Sequence, residues 1–122
     1  MINDTFVRSM EKDDIDAVIA FIRERGHPID PQRFKFVFKA ANESGSMVRL
    51  LSAEGGKIVG VLIGHCGTSL LSWDKMCYII FEGYDAEYYN ASNKAKLTAE
   101  FVDWAGRRRV AHVDLKSEEK VQ

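Results

Sequence analysis

KMCYIIFEGYDAEYYNASNKAKLTAEFVDWA, residues 75–105, is the stretch on which the fold turns. Its opening run, residues 76–81, is apolar and rich in β-branched and aromatic side chains, the composition of a buried strand. A polar turn, residues 83–92, follows. Beyond it Leu97, Phe101, Trp104 and Ala105 fall at i, i+4, i+7 and i+8, one face of a helix. Ser92 or Asn93 is the expected N-cap, because either side chain can accept an amide of the first turn. Gly106 is the expected stop. Strand, tight loop and helix N-terminus in succession can hold an anion, since first-turn amides and the positive end of the helix dipole face the loop.

Downstream, residues 110–115 read as a last strand and residues 116–122 as a charged tail. Upstream, residues 57–65 read as a strand in which Val59, Val61 and Ile63 alternate with Gly60, Leu62 and Gly64. Two glycines on one face imply either a close-packed neighbour or a bulge. Glu54-Gly55-Gly56-Lys57 forms a hairpin turn that joins this strand to another at residues 47–53. Two helices come before. The first starts at Asp13 or Asp14, buries Ile15, Val18, Ile19 and Ile22, and stops at Gly26. The second, residues 31–42, has Pro31 in its first turn and buries Phe34, Val37, Phe38 and Ala41. Residues 5–10 read as a first strand. The order β-α-α-β-β-β-α-β predicts an α+β domain with helices on both sheet faces. Its middle three strands form an antiparallel meander, and a right-handed crossover sets the fifth strand parallel beside the fourth.

A chain of 122 residues, 46% hydrophobic and 29% charged, supplies one domain with a core of its own. A formal net charge of -1 gives no bulk attraction for nucleic acid or an anionic membrane. No apolar run reaches the roughly 18 residues of a membrane span. The first residues, MINDTFVRSMEKDD, contain no signal-peptide core. These readings describe a cytoplasmic protein with no nucleic-acid and no membrane partner. Cys66 and Cys77 both fall in predicted strands and read as buried reduced thiols. No Cys/His spacing matches a zinc site, so no metal is expected.

The order and its residues resemble the GNAT superfamily of N-acetyltransferases, most closely the short members encoded by tailed bacteriophages. FVRSMEKDDIDAVIAFI is similar to the opening strand and first helix of that family, and KIVGVLIGH to its third strand. CYIIFEGYDAEYYNASNKAKLTAEFVDWAGRRRVAHVDL is similar to its fourth strand, third helix and fifth strand. The resemblance implies an acetyl-CoA site along Ile80 and Phe81 and at Asn90, Ala91, Ser92, Asn93 and Lys94. The family signature, Gln/Arg-x-x-Gly-x-Gly/Ala, falls on residues 89–94. Tyr89 stands at the Gln/Arg position, and Ser92 and Lys94 stand at the glycines. Side chains there occupy space that a pyrophosphate needs, while Lys94 can itself meet a phosphate.

For catalysis the resemblance implies a base on the fourth strand. Glu82 is the nearest candidate and Tyr78 a candidate acid or positioning group; Tyr78, Ile80 and Glu82 share a face if no bulge intervenes. His65, at the end of the third strand, can flank the same cleft. The family continues beyond the fifth strand with a helix and two strands, where this sequence reads KSEEKVQ, so a sheet truncated after the fifth strand is expected. With that departure and the altered loop, the sequence reads first as a degenerate GNAT-like protein-binding module. Its expected partner is a host protein in the host cytoplasm, or a second copy paired through the last strand. A tyrosine patch, Tyr84, Tyr88 and Tyr89, would form the recognition surface. The alternative is an acetyl-CoA-dependent N-acetyltransferase acting on an amine of a protein or small molecule. A third reading is an unrelated α+β interaction module.

Overall fold

Five strands in the order β1-β2-β3-β4-β5 form one sheet, with two helices on one face and one on the other. The structure, a computed structural model, describes residues 5–68, 75–86, 91–107 and 112–117. Strands β1 (Phe6–Ser9), β2 (Met47–Glu54), β3 (Lys57–Thr68) and β4 (Lys75–Tyr84) are antiparallel. Strand β5 (His112–Ser117) lies parallel to β4. Helices α1 (Ile15–Glu24) and α2 (Pro31–Ser44) cover one face, and α3 (Ala91–Arg107) covers the other. The element order and the parallel fifth strand are those read from the sequence. The fourth strand runs farther than expected, to Tyr84, and the last is described from His112 to Ser117, the expected residues 110 and 111 lying outside the described residues.

Local chemistry sets the helix ends. A 3₁₀ turn, Lys12–Asp14, leads into α1. There the Asp14 carboxylate accepts the Glu11 amide at 2.8 Å and both terminal nitrogens of Arg8, at 2.7 and 2.9 Å. The Arg8 guanidinium holds the Asp14 carboxyl below its ordinary value. Asp30 caps α2 by accepting the amides of Gln32 and Arg33, with Pro31 next in line. Gly45 ends that helix in the left-handed conformation, φ 66°. Helix α2 therefore extends to Ser44, beyond the expected residue 42. Val37, expected in its buried stripe, is 47% exposed, while Phe38 and Ala41 are buried. Gly55 and Gly56, at φ 56° and 82°, make the tight β2–β3 turn, which needs positive φ at both positions.

The sheet separates two apolar layers. On the α1/α2 side Leu51, Val61, Ile63 and Phe81 pack against Val18, Ile19, Phe21, Ile22 and Phe38. On the α3 side Val48, Leu50, Leu62, Cys77 and Ile79 pack against Leu97, Phe101 and Ala105. The glycines of β3 are explained by close approach. A Cβ on Gly64 would run into the Phe101 ring, 2.9 Å from Cδ1, and one on Gly60 would lie 3.1 Å from Leu97 Cδ1. Helix α3 begins at Ala91, so Ser92 and Asn93 occupy its first turn and neither is the N-cap. Gly106 sits inside the last turn, and the helix runs on to Arg107.

Candidate functional site

A bulge in β4 decides which side chains meet. The β3–β4 register runs through Ile63↔Phe81 and resumes at Gly64↔Ile79, so Ile80 is the inserted residue. One inserted residue reverses the side on which every later side chain falls. Tyr78, Ile80 and Phe81 therefore lie on the α1/α2 face, whereas Cys77, Ile79, Glu82 and Tyr84 lie on the α3 face. The expected face shared by Tyr78, Ile80 and Glu82 is corrected accordingly. Glu82 stands opposite Leu62, across the sheet from Tyr78, and its carboxylate accepts the Tyr84 hydroxyl at 2.5 Å. Tyr78 is instead paired directly with His65, ring centroids 5.5 Å apart.

The β4–β5 ladder also shifts register next to the bulge, between Tyr78 and Ile79. It pairs Met76 with His112, Cys77 with Val113, Tyr78 with Asp114 and, after a skip, Ile79 with Ser117. Strand β4 continues along β3 to Gly60↔Tyr84. Beyond Ile79↔Ser117, residues 118–122 lie outside the described residues. Residues 85–90 alone separate Tyr84 from Ala91, so the N-terminus of α3 stands at the end of β4.

The first turn of α3 contributes amides that lack intrahelical acceptors. Within it Asn93 is turned inward, 2% exposed, while Ser92 and Lys94 are exposed. The two side chains that the resemblance sets at glycine positions thus lie on the outside of the helix. Ala91 is the first residue of that turn. Lys96 is engaged at the first strand, its Nζ donating to the Thr5 carbonyl at 3.2 Å. Asn90, Tyr88 and Tyr89 lie outside the described residues. Of the expected tyrosine patch only Tyr84 is described, and it is half-buried against the α3-side core.

Two arginines border the α1/α2 side. Arg25 donates to the Tyr84 carbonyl at 3.0 Å and to the Phe21 carbonyl at 2.9 Å, fastening the end of α1 to the end of β4. Its guanidinium lies 3.5 Å from the centroid of the Phe21 ring. Arg49, opposite Ile63, donates to the Phe38 carbonyl at 3.2 Å. Burial pulls the Arg49 guanidinium below its ordinary value. Among the described residues, buried Arg49 Nε and His65 Nδ1 have no hydrogen-bond partner in the protein. No group of three metal-ligating side chains occurs among the described residues, and no described helix is long and apolar enough to cross a membrane.

No family model matches the sequence, and no curated protein matches it. Solved structures match its backbone. A GNAT family acetyltransferase from Staphylococcus aureus superposes with a TM-score of 0.74, covering 97% of this chain and 89% of its own, at 15% identity. The chain has the GNAT fold. A predicted acetyltransferase from Clostridium acetobutylicum, solved with acetyl-CoA, gives a TM-score of 0.75 at 11% identity over 94% of this chain and 82% of its own. The enzyme AAC(6')-Iy, solved with the bisubstrate analogue CoA-S-monomethyl-acetylneamine, gives 0.78 at 10% identity over 96% and 82%. The likeness is thus one of fold, at 10–15% identity. The bulge and the His65–Tyr78 pairing are the features sequence reading missed. The signal for the pairing was present in two strands of known direction, but its register depended on the bulge.

Proposed function

We propose that this protein is an acetyl-CoA-dependent N-acetyltransferase. The observation that carries the reading is the bulge at Ile80 in β4, the strand whose end leads through residues 85–90 to the N-terminus of α3. GNAT-fold neighbours solved with acetyl-CoA and with a CoA analogue support it. The protein-binding reading has no comparable support, since Tyr84 packs inward.

The residues present fit the cofactor. Ser92 and Lys94 are exposed, which leaves the end of the helix to its amides, and Lys94 adds a cation beside them. In this reading an extended amide-bearing arm lies along β4 past the bulge, beside Phe81, in the manner of an added strand. Acetyl-CoA, when bound, supplies the acetyl thioester. The chain supplies the proton handling. On the α1/α2 face, just before the bulge, His65 takes a proton from the acceptor amine. The Tyr78 hydroxyl, on the ring that packs against His65, would give its proton to the departing thiolate and regain one from His65. The buried positive charge of Arg49 on the same face favours an acceptor that arrives as the neutral amine.

Thiol release from acetyl-CoA, followed over a panel of small amines and amine-terminated peptides, tests this reading. Tyr78→Phe and His65→Gln should each lower the rate by roughly 10²–10⁴. Glu82→Gln, across the sheet, should leave the chemical step unchanged. Absence of thiol release over the whole panel, with no binding of acetyl-CoA at millimolar concentration, would overturn it.

A further inference from the structure

Cys66 and Cys77 are direct partners in the β3–β4 ladder, and both are thiols. The kind of pair they form follows from one hydrogen bond. The Cys66 amide donates to the Ser46 carbonyl at 2.7 Å, toward the β2 side. In an antiparallel sheet the N–H and C=O of one residue point to the same neighbouring strand, so those of Cys66 point away from β4. Cys66 and Cys77 are therefore a non-hydrogen-bonded pair, the narrow kind, with Cα atoms about 4.5 Å apart and side chains close. That separation falls within the roughly 4.4–6.8 Å that a disulfide bridges. Both side chains also lie on one face, where Cys77 is part of the α3-side core and Cys66 packs against it. Cys66 is half-buried and Cys77 fully buried, so an oxidant in solution meets Cys66 first.

We propose that the Cys66–Cys77 pair is a peroxide-reactive dithiol that closes into a reversible cross-strand disulfide. In the first step the Cys66 thiolate attacks hydrogen peroxide; an S–O bond forms, the O–O bond breaks and hydroxide leaves, giving a sulfenic acid. In the second the Cys77 sulfur attacks that sulfenic sulfur, the S–O bond breaks, and the oxygen departs as water with the Cys77 proton. The balance is two thiols and one peroxide to one disulfide and two waters. The cross-link pins β3 to β4 at the row next to His65↔Tyr78 and on the residue of β4 that pairs with Val113. It stands apart from the acetyltransferase reading and does not depend on it.

The test uses the intact protein. After stoichiometric hydrogen peroxide, intact mass should fall by two hydrogens, the chain should stay free of intermolecular links, and a single non-reduced peptide should join Cys66 to Cys77. Dithiothreitol should restore the mass. The oxidised chain should melt higher than the reduced one, since the bridge restricts the unfolded chain without straining the ladder. Cys77→Ser should stop the reaction at a Cys66 sulfenic acid that dimedone traps. If that variant does not fold, the wild-type peptide map decides alone. Oxidation of Cys66 to sulfinic acid with Cys77 still reduced, Cys66-linked dimers, or a lower melting temperature after closure would each overturn the proposal.

Discussion

Gly64 has no side chain because Phe101 occupies the space that one would need. Its would-be Cβ also lies 3.1 Å from Val48 Cγ1, so the ring cannot simply slide toward β2. Gly64→Ala should therefore destabilise the protein by about 1–3 kcal/mol, the cost of overpacking a filled core. Gly106 is the control. Nothing lies within 4 Å of a Cβ added there, and the residue is helical, so Gly106→Ala should stabilise by roughly 0.5–1 kcal/mol. Urea midpoints of the two variants shifting in opposite directions would bear out the packing argument. Equal shifts would show that α3 can move away from β3. The same scale puts Glu82 on the α3 face, where its carboxylate accepts the Tyr84 hydroxyl.

Among the elements, the joint between β1 and α1 is electrostatic. Arg8 on β1 grips Asp14 at the helix entrance with two nitrogens, and the carboxylate also receives the Glu11 amide. The folded Asp14 thus binds its proton less readily than the unfolded chain does. Its stabilisation is present above the unfolded value near 3.9 and is lost as pH falls through the lower, folded value. Arg8→Met should remove this contribution, which solvent screening holds to about 1 kcal/mol or less, since Arg8 is 44% exposed. Acid titration of stability should show wild type and variant converging below pH ~4. A difference that grows toward lower pH would refute the assignment. Elements of this kind were legible from the sequence: the stripe at Ile15, Val18, Ile19 and Ile22, the Pro31 start, the Gly55-Gly56 turn and the α3 face all follow local periods or turn chemistry. The bulge at Ile80 was not. Strand β4 is covered by helices on both faces, so Ile79, Ile80 and Phe81 are apolar whichever way each points, and alternation carries no register. The candidate site inherited that blindness. A face shared by Tyr78 and Glu82 required that no bulge intervene, so the bulge sets Glu82 on the other face, and the His65–Tyr78 partnership needed the register itself.

At the scale of the whole molecule, both apolar layers rest on the same sheet, so the chain should unfold as one unit. A ligand that binds only the folded form at one end of that sheet then stabilises all of it. If the phosphates of acetyl-CoA sit at the first turn of α3, ligand at 100 times its dissociation constant adds about 2.7 kcal/mol. For a domain of this size that is a rise of roughly 10 °C in melting temperature. Lys94 is exposed, so Lys94→Glu should leave the fold intact and, as an anion in the first turn of α3, raise the unliganded melting temperature slightly. It places an anion where the amides and the helix dipole should receive another. A tenfold loss of affinity, about 1.4 kcal/mol, would halve the rise at the same ligand concentration. The wild-type rise should also shrink with added salt, because the lost interaction is between exposed charges. Scanning calorimetry with and without ligand, at low and high salt, separates the outcomes. Equal rises in wild type and Lys94→Glu would place the phosphates elsewhere. No rise in either would remove the cofactor from the α3 end of the sheet, and the proposed chemistry with it.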